Sequence, residues 1–178
     1  MLTDNSIDID LNLLIDIEDI PSKDLDKLEP MNTNIVPWLY ECKKGFNNDL
    51  FFIEGRGKWM LFFDKQLMNS KWKLCKELFR SGYINNIEYI KCSTNYQSER
   101  ATSNNYGLIS FYCNNSDNKE KILEIGNNLV KIFKYDEMDY IYYKTDMLSK
   151  NGCRNNGKSF NYLYKLHNNL YIGNEFID

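Results

Sequence analysis

The chain has 178 residues, 43% of them hydrophobic and 15% aromatic, which is enough for one domain with a buried core. Its net charge of -3 gives no global basic field, which argues against a protein that coats nucleic acid non-specifically. A local basic groove is still compatible with this charge. No apolar run approaches the length of a membrane helix, and the N-terminus lacks a basic and apolar leader. We therefore expect neither a membrane span nor a secretory signal.

Cysteine and histidine usage argues against a metal centre. The single histidine, His167, and the five scattered cysteines have no metal-ligand spacing, so we expect no metal and no cofactor. We interpret the thiols as free and buried in a reducing compartment, which predicts a cytoplasmic protein. The cysteines are Cys42, Cys75, Cys92, Cys113 and Cys153.

The N-terminal segment is acidic, and its closely spaced aspartates are typical of a solvated, flexible arm. We predict an arm over residues 1–34, one domain over residues 35–170 and a C-terminal tail over residues 171–178. The Ile-Asp alternation in the arm would also suit an edge strand. Its leucines and isoleucines would suit a short docking motif, so the arm is a candidate contact for a protein partner.

The segment Gly55–Gly82 predicts a strand, a short loop and a helix that packs back on the strand. Its apolar run Trp59–Phe63 is typical of a buried strand, while Ser70 and Gly82 are the candidate N-cap and C-terminal stop of the helix. One face of this helix is apolar and is expected to face the core. It carries Trp72, Cys75, Leu78 and Phe79.

The remaining chain predicts more strands and one more helix. An acidic and polar start at Asp117–Glu120 resembles a capping box, and an apolar stripe continues the helix to about Lys134. An extended segment, Ile35–Cys42, precedes the central strand. The other predicted strands are Tyr83–Ser93, Leu108–Cys113, Tyr140–Asp146 and Phe160–Leu166. Joins between consecutive strands are too short for crossovers, so the fold class is α+β: a largely antiparallel sheet with helices on one face.

Alternation along the strands predicts the residues of the uncovered sheet face, which are Lys91, Ser110, Tyr112, Tyr142 and Lys144. Lysines in the middle of a sheet need a compensating anion, carboxylate or water. A phosphate group would meet that need for Lys91 and Lys144, and Tyr112 and Tyr142 would donate hydrogen bonds or stack on a base. The alternative is structural: Lys144 pairs with Asp146 or Glu88 on a solvated face.

Other basic and aromatic residues are candidates for the same site. Arg154 and Lys158, with Lys150, lie in a glycine-rich stretch that would suit a phosphate-wrapping loop or a solvated loop. Trp59 would suit either the core or a ligand groove. Arg56 and Lys58 flank a glycine; they would suit either a cap on the ligand groove or, as we favour, surface charges at the start of a strand.

Several short motifs resemble a known family. GKWMLFF, Trp72, IKCST, ISFYCNNSDNKEKI and YYKTD, spread over residues 55–166, are similar to the basophilic leukaemia-expressed protein family. The resemblance implies a fold like that of the cap-binding translation initiation factor 4E, with a curved antiparallel sheet backed by helices, and no established enzymatic activity. Cap-binding factors hold the methylated guanine between two loop tryptophans. The corresponding loops here, residues 64–70 and 94–105, contain no tryptophan.

These observations favour a binding module over an enzyme. The leading hypothesis is a module that binds a nucleotide or the phosphate groups of a short RNA on the uncovered sheet face. The alternative is a viral or host-interaction protein that acts through protein contacts. An enzyme that processes nucleotides ranks last, because no nucleophile, acid-base pair or metal cluster is recognisable in the sequence.

Overall fold

The computed structural model describes residues 26–46, 56–97, 105–113, 118–150 and 162–168, except for the side chain of residue 150. Most of the predicted arm, the predicted tail over residues 171–178, and both Arg154 and Lys158 lie outside the described residues. The same holds for Cys153 and for the start of the last predicted strand.

The described chain forms one six-stranded sheet in which every neighbouring pair is antiparallel. The strands are β1 (Trp38–Cys42), β2 (Gly57–Asp64), β3 (Ile87–Ser93), β4 (Tyr106–Cys113), β5 (Tyr140–Thr145) and β6 (Tyr164–His167). Their order across the sheet is β1-β3-β4-β2-β5-β6. The sheet is curved and does not close. The α+β class with an antiparallel sheet is therefore confirmed.

Two helices connect strands that are not neighbours. Helix α1 (Met68–Arg80) leads from β2 to β3, which β4 separates, and α2 (Lys119–Phe133) leads from β4 to β5, which β2 separates. The central order strand-helix-strand-strand-helix-strand is that of a split βαβ arrangement. Both helices pack their apolar stripes on the same face of the sheet, as predicted. A short third helix, α3 (Asp146–Lys150), lies where a loop was predicted.

The helix-covered face of the sheet forms the core because the strands alternate. In β2 every second residue is buried, starting from Gly57, and Trp59, Leu61 and Phe63 have no exposed surface. The indole N–H of Trp59 donates to the carbonyl oxygen of Ile122 in α2 at 2.9 Å. A Cβ on Gly126, one turn later in α2, would lie 2.6 Å from this indole, so the close approach requires glycine.

The predicted helix start at Ser70 is wrong. A short 3-10 turn, Lys65–Leu67, begins the helical segment, and the Asp64 carboxylate caps it by accepting from the backbone N–H of Gln66 at 2.8 Å. The α-helix then starts at Met68, and the Ser70 hydroxyl donates to the Leu67 carbonyl instead. The second helix begins as predicted, because Asn118 accepts from the backbone N–H of Lys121 at 3.0 Å.

Residues 26–34, which the sequence assigned to the arm, lie against α1 and against Asn95, in the turn that follows β3. Pro30 and Thr33 are buried. The backbone N–H of Met31 donates to the Asn69 side chain at 2.8 Å, and Asp26 forms ion pairs with Lys76 and Arg80. The described part of the arm is therefore packed on the domain.

No helix in the described part of the chain is long and apolar enough to cross a membrane. The four described cysteines are free thiols, and all but Cys42 are buried.

Candidate functional site

One cross-strand row of side chains crosses, from edge to edge, the face of the sheet that the two helices leave uncovered. Ser110, Tyr89 and Tyr112 on this face are nevertheless buried. The strand registers place directly opposite one another, in this order, Tyr40, Lys91, Ser110, Met60, Tyr142 and Lys165. A second row on the same face holds Tyr89, Tyr112, Lys58 and Lys144. The prediction that Lys91, Tyr112, Tyr142 and Lys144 share one face is confirmed.

Lys91 lies near the β1 end of the first row, between two aromatic side chains of the edge strand. Its Nζ lies 3.9 Å from the centroid of the Trp38 ring and 5.6 Å from that of Tyr40. Among the described residues, no carboxylate forms an ion pair with this ammonium group. Burial, together with the nearby positive charge of Lys58, lowers the pKa of Lys91 to about 8, and the charge of Asp146 partly opposes this shift.

Lys58 lies at the centre of the face and is held by two side chains of α3, the short helix that follows β5. Its Nζ donates to Asp146 Oδ1 at 2.7 Å and to the Ser149 hydroxyl at 3.1 Å. The same ammonium lies 5.0 Å from the centroid of the Tyr112 ring. The prediction that Lys58 is a plain surface charge is wrong, because its side chain is largely buried and ion-paired.

Lys144 stands directly opposite Lys58 in the β2–β5 register. Lys91 and Lys144 are separated by β4 and β2, so three strand spacings, about 14 Å, lie between their backbones. Lys58 therefore lies between the two lysines that the sequence singled out. The two predicted carboxylate partners are also assigned: Asp146 pairs with Lys58, and Glu88 pairs with Arg56.

Tyr112 is not available for stacking on a base. It is 5% exposed and lies against Tyr89, with ring centroids 4.1 Å apart and an interplanar angle of 17°. Lys58 lies over the Tyr112 ring as well. Tyr142 is half-buried, and its ring centroid lies 5.1 Å from that of Tyr162.

Arg56 is fully buried, and the prediction that it is a surface charge is wrong. Its guanidinium donates to Glu88 Oε2 at 2.6 Å and lies 5.5 Å from the centroid of the Tyr89 ring. A register irregularity in β3 between Ile87 and Tyr89 accompanies the position of Glu88. Within the described chain, the Nε and Nη1 atoms of Arg56 have no hydrogen-bond partner.

Trp59 faces the helices and has no exposed surface, so it is a core residue on the face opposite Lys91. The predicted candidates Arg154 and Lys158 lie outside the described residues. His167 packs edge-on against Tyr140, at a centroid distance of 4.8 Å, at the β6 end of the face.

Sequence reasoning missed two aromatic residues and one ion pair in this region. Trp38 and Tyr40 alternate along β1, which is the signal that could have placed both on one face with Lys91. The pairing of Lys58 with Asp146 joins residues 88 positions apart and depends on the β2–β5 register. We call Trp38, Tyr40, Lys58, Lys91 and Asp146 the Lys91 site.

No protein-family model and no curated protein matches the sequence. Over the parts of the chain that the structure describes, no cluster of three or more histidine, cysteine or acidic residues would hold a metal ion. The Lys91 site combines two ammonium groups, one carboxylate and two aromatic rings, which is a chemistry suited to holding an anion with an attached planar group.

Proposed function

We propose that the protein is a binding module that holds a phosphate group of a nucleotide or a short RNA at the Lys91 site. We also propose that its fold is of the translation initiation factor 4E-like type and that the chain belongs with the basophilic leukaemia-expressed proteins that its motifs resemble. Six antiparallel strands with two helices on one face support the fold. The proposed ligand binds on the opposite face of the sheet, which the helices do not cover.

The observation that carries the proposal is the state of Lys91. Its side chain is half-buried, its ammonium lies against an indole ring, and it has no carboxylate partner among the residues that the structure describes. A buried cation without a counter-ion is unfavourable unless a ligand supplies the opposite charge. A phosphate oxygen would supply that charge and accept hydrogen bonds from the ammonium.

Lys58 adds a second cation to the site, but its ion pair with Asp146 limits the affinity for phosphate. Its charge is close enough to contribute to the lowered pKa of Lys91, so a doubly charged phosphate would relieve the repulsion between the two ammonium groups. Asp146 neutralises Lys58 in the unliganded protein at a distance of 2.7 Å. An incoming phosphate competes with this carboxylate, which favours a ligand that carries two negative charges over one that carries a single charge.

The test is a calorimetric titration of the full chain at low salt with AMP and with a short oligoribonucleotide. Lys91→Met is compared with Lys165→Met, a matched control from the opposite end of the same cross-strand row. The Lys165 ammonium lies 3.7 Å from the centroid of the Tyr140 ring, so each variant removes one ammonium group that lies within 4 Å of an aromatic ring centroid. We expect Lys91→Met to weaken binding by about tenfold or more, and Lys165→Met to change it by less than about twofold.

The affinity for phosphate ligands is also expected to depend on salt concentration and on pH. Affinity falls as salt is added, because charge contacts with phosphate release counter-ions. It also falls as the pH rises through about 8, because Lys91 loses its proton in the free protein. Methylated guanine caps are expected to bind no better than plain nucleotides, because the two loop tryptophans are missing.

Equal weakening by both lysine variants would show a diffuse electrostatic attraction and would contradict the proposed site. The absence of saturable binding to any nucleotide or RNA would overturn the binding function and leave the protein-interaction hypothesis. Turnover of a nucleotide during the titration would instead support an enzyme.

A further inference from the structure

The three tryptophans of the chain occupy different environments. Trp59 and Trp72 are buried in the core on the helix-covered side, with 0% and 3% exposure. Trp38 begins the edge strand β1, is half-buried, and lies on the uncovered face. One face of its ring is occupied by the Lys91 ammonium, at 3.9 Å from the centroid. Trp38 is therefore the tryptophan that a ligand on this face can reach.

Trp38 is also better placed for stacking than the tyrosines nearby. Tyr112 is already stacked on Tyr89 and is 5% exposed. Tyr40, two residues after Trp38 on the same face of β1, is 42% exposed and lies 5.6 Å from the Lys91 ammonium. The accessible aromatic surface of the site is therefore concentrated on the edge strand, next to Lys91, which has no carboxylate partner in the described part of the chain.

We propose that the ligand is a nucleoside phosphate whose base stacks on Trp38 in the place that the Lys91 ammonium now occupies. This inference rests on the proposed function, because the bound phosphate is what draws the ammonium away from the ring. The lysine stem is flexible, so a small rotation transfers the ammonium from the indole to a phosphate oxygen. The ring face that becomes free is apolar and flat, and a base covers it again.

When a phosphate binds, the transfer of the Lys91 ammonium from the indole ring to a phosphate oxygen is favourable. An ammonium over an indole gains a modest attraction, whereas a direct contact between an ammonium and a phosphate is a charge-assisted hydrogen bond. Because the base replaces the cation on the ring, Trp38 stays covered in both states. The phosphate and the base therefore act together, and a ligand that has only one of them is expected to bind more weakly than a ligand that has both.

The experiment separates the phosphate contact from the stacking contact by comparing AMP with ribose 5-phosphate, which carries the phosphate without a base. In the native protein we expect AMP to bind about tenfold more tightly than ribose 5-phosphate. Trp38→Leu is expected to remove most of that difference by weakening AMP binding, while ribose 5-phosphate binds no more weakly than to the native protein, because the ring no longer competes for the Lys91 ammonium. Lys91→Met weakens the binding of both ligands. Circular dichroism and thermal unfolding of each variant check that it is folded.

A second measurement uses the native chain and therefore does not depend on the folding of a variant. Bound AMP is expected to quench the fluorescence of Trp38 and to shield it from acrylamide, while ribose 5-phosphate uncovers the ring and increases the effect of acrylamide. Trp38→Phe keeps a smaller ring, so it is expected to retain part of the preference for AMP and to lose the fluorescence change.

The outcomes distinguish this inference from the proposed function. If AMP and ribose 5-phosphate bind the native protein equally well, and Lys91→Met weakens both, the stacking role is overturned while the phosphate site stands. If Trp38→Leu weakens both ligands equally, Trp38 only positions Lys91, which also overturns stacking. If neither ligand binds, the proposed function fails and the inference fails with it.

Discussion

The two faces of the sheet are built from different kinds of interaction. The helix-covered face is closed by apolar side chains, and the indole N–H of Trp59 is satisfied by a backbone carbonyl in α2. On the other face Lys58 is paired with Asp146, whereas the half-buried Lys91 lies over the Trp38 ring and has no carboxylate partner among the described residues. Burial of apolar surface stabilises the fold, whereas burial of a cation without a counter-ion costs free energy. The helix-covered face therefore supplies stability, and the other face keeps Lys91 at a cost in stability, which the proposed phosphate site would explain.

The largest expected effect is on the helix-covered face. Trp72 is 3% exposed on the buried stripe of α1, so Trp72→Ala is expected to lower the free energy of unfolding by about 3–5 kcal/mol. Leu74 lies on the exposed side of the same helix, and Leu74→Ala is expected to change the free energy of unfolding by less than about 0.5 kcal/mol. Urea denaturation measures both. A Trp72 variant that keeps its stability but loses AMP binding would assign this residue to the ligand site. It would contradict the assignment of stability to the helix-covered face and of binding to the other face.

A smaller effect is expected from the chain that lies against the outside of α1. Deletion of residues 1–25 is expected to leave the free energy of unfolding within about 0.5 kcal/mol of the full chain, because their acidic sequence cannot supply a core. Deletion of residues 1–34 is expected to lower it by about 2 kcal/mol, since it removes the buried Pro30 and Thr33 and the hydrogen bond from Met31 to Asn69. Thermal unfolding of the two truncations gives the comparison. Equal loss in both would move the start of the folded domain into the acidic segment.

Sequence alternation predicted the fold well because the core face depends on local periodicity. Most of the residues predicted to be buried in the apolar run of β2 and in the stripes of α1 and α2 are buried in the structure. Lys91 also lies on the face that was predicted for it. Helix ends were less predictable. Ser70 carries the expected capping chemistry, but Asp64 lies at the end of β2 and starts the helical segment earlier.

The partners within the site could not be predicted, because they depend on contacts between distant segments. Lys91 meets Trp38 only through the β1–β3 pairing, and that pairing joins an extended segment to a strand some fifty residues later. Tyr112 had the right residue type for stacking on a base, but its position beside Tyr89 fills its ring face within the protein. Local patterns therefore identified the face and its charges, while the register of the sheet decided which rings stay accessible.

On the uncovered face, the charged Lys91 side chain is expected to lower the stability of the fold. The pKa of Lys91 is lowered from 10.5 to about 8, first by burial and then by the charge of Lys58, so folding disfavours the protonated form. At pH 7 the lysine is charged in both the folded and the unfolded state, and the fold bears that cost. The attraction of the Trp38 ring offsets part of it. We therefore expect Lys91→Met to raise the free energy of unfolding at pH 7 by about 1–2 kcal/mol.

The sign of the pH dependence follows from the same shift. Between about pH 8 and pH 10.5 the unfolded chain holds more protons than the folded chain at this position, so the stability of the native protein rises relative to Lys91→Met. The advantage of the methionine variant should shrink across that window and be largely gone above it. Urea denaturation at pH 7 and at pH 10, with Lys165→Met as the control at the opposite end of the row, measures the difference. A Lys91→Met variant that is less stable than the native protein at pH 7 would show that this lysine supports the fold, and the contrast between the two faces would then fail.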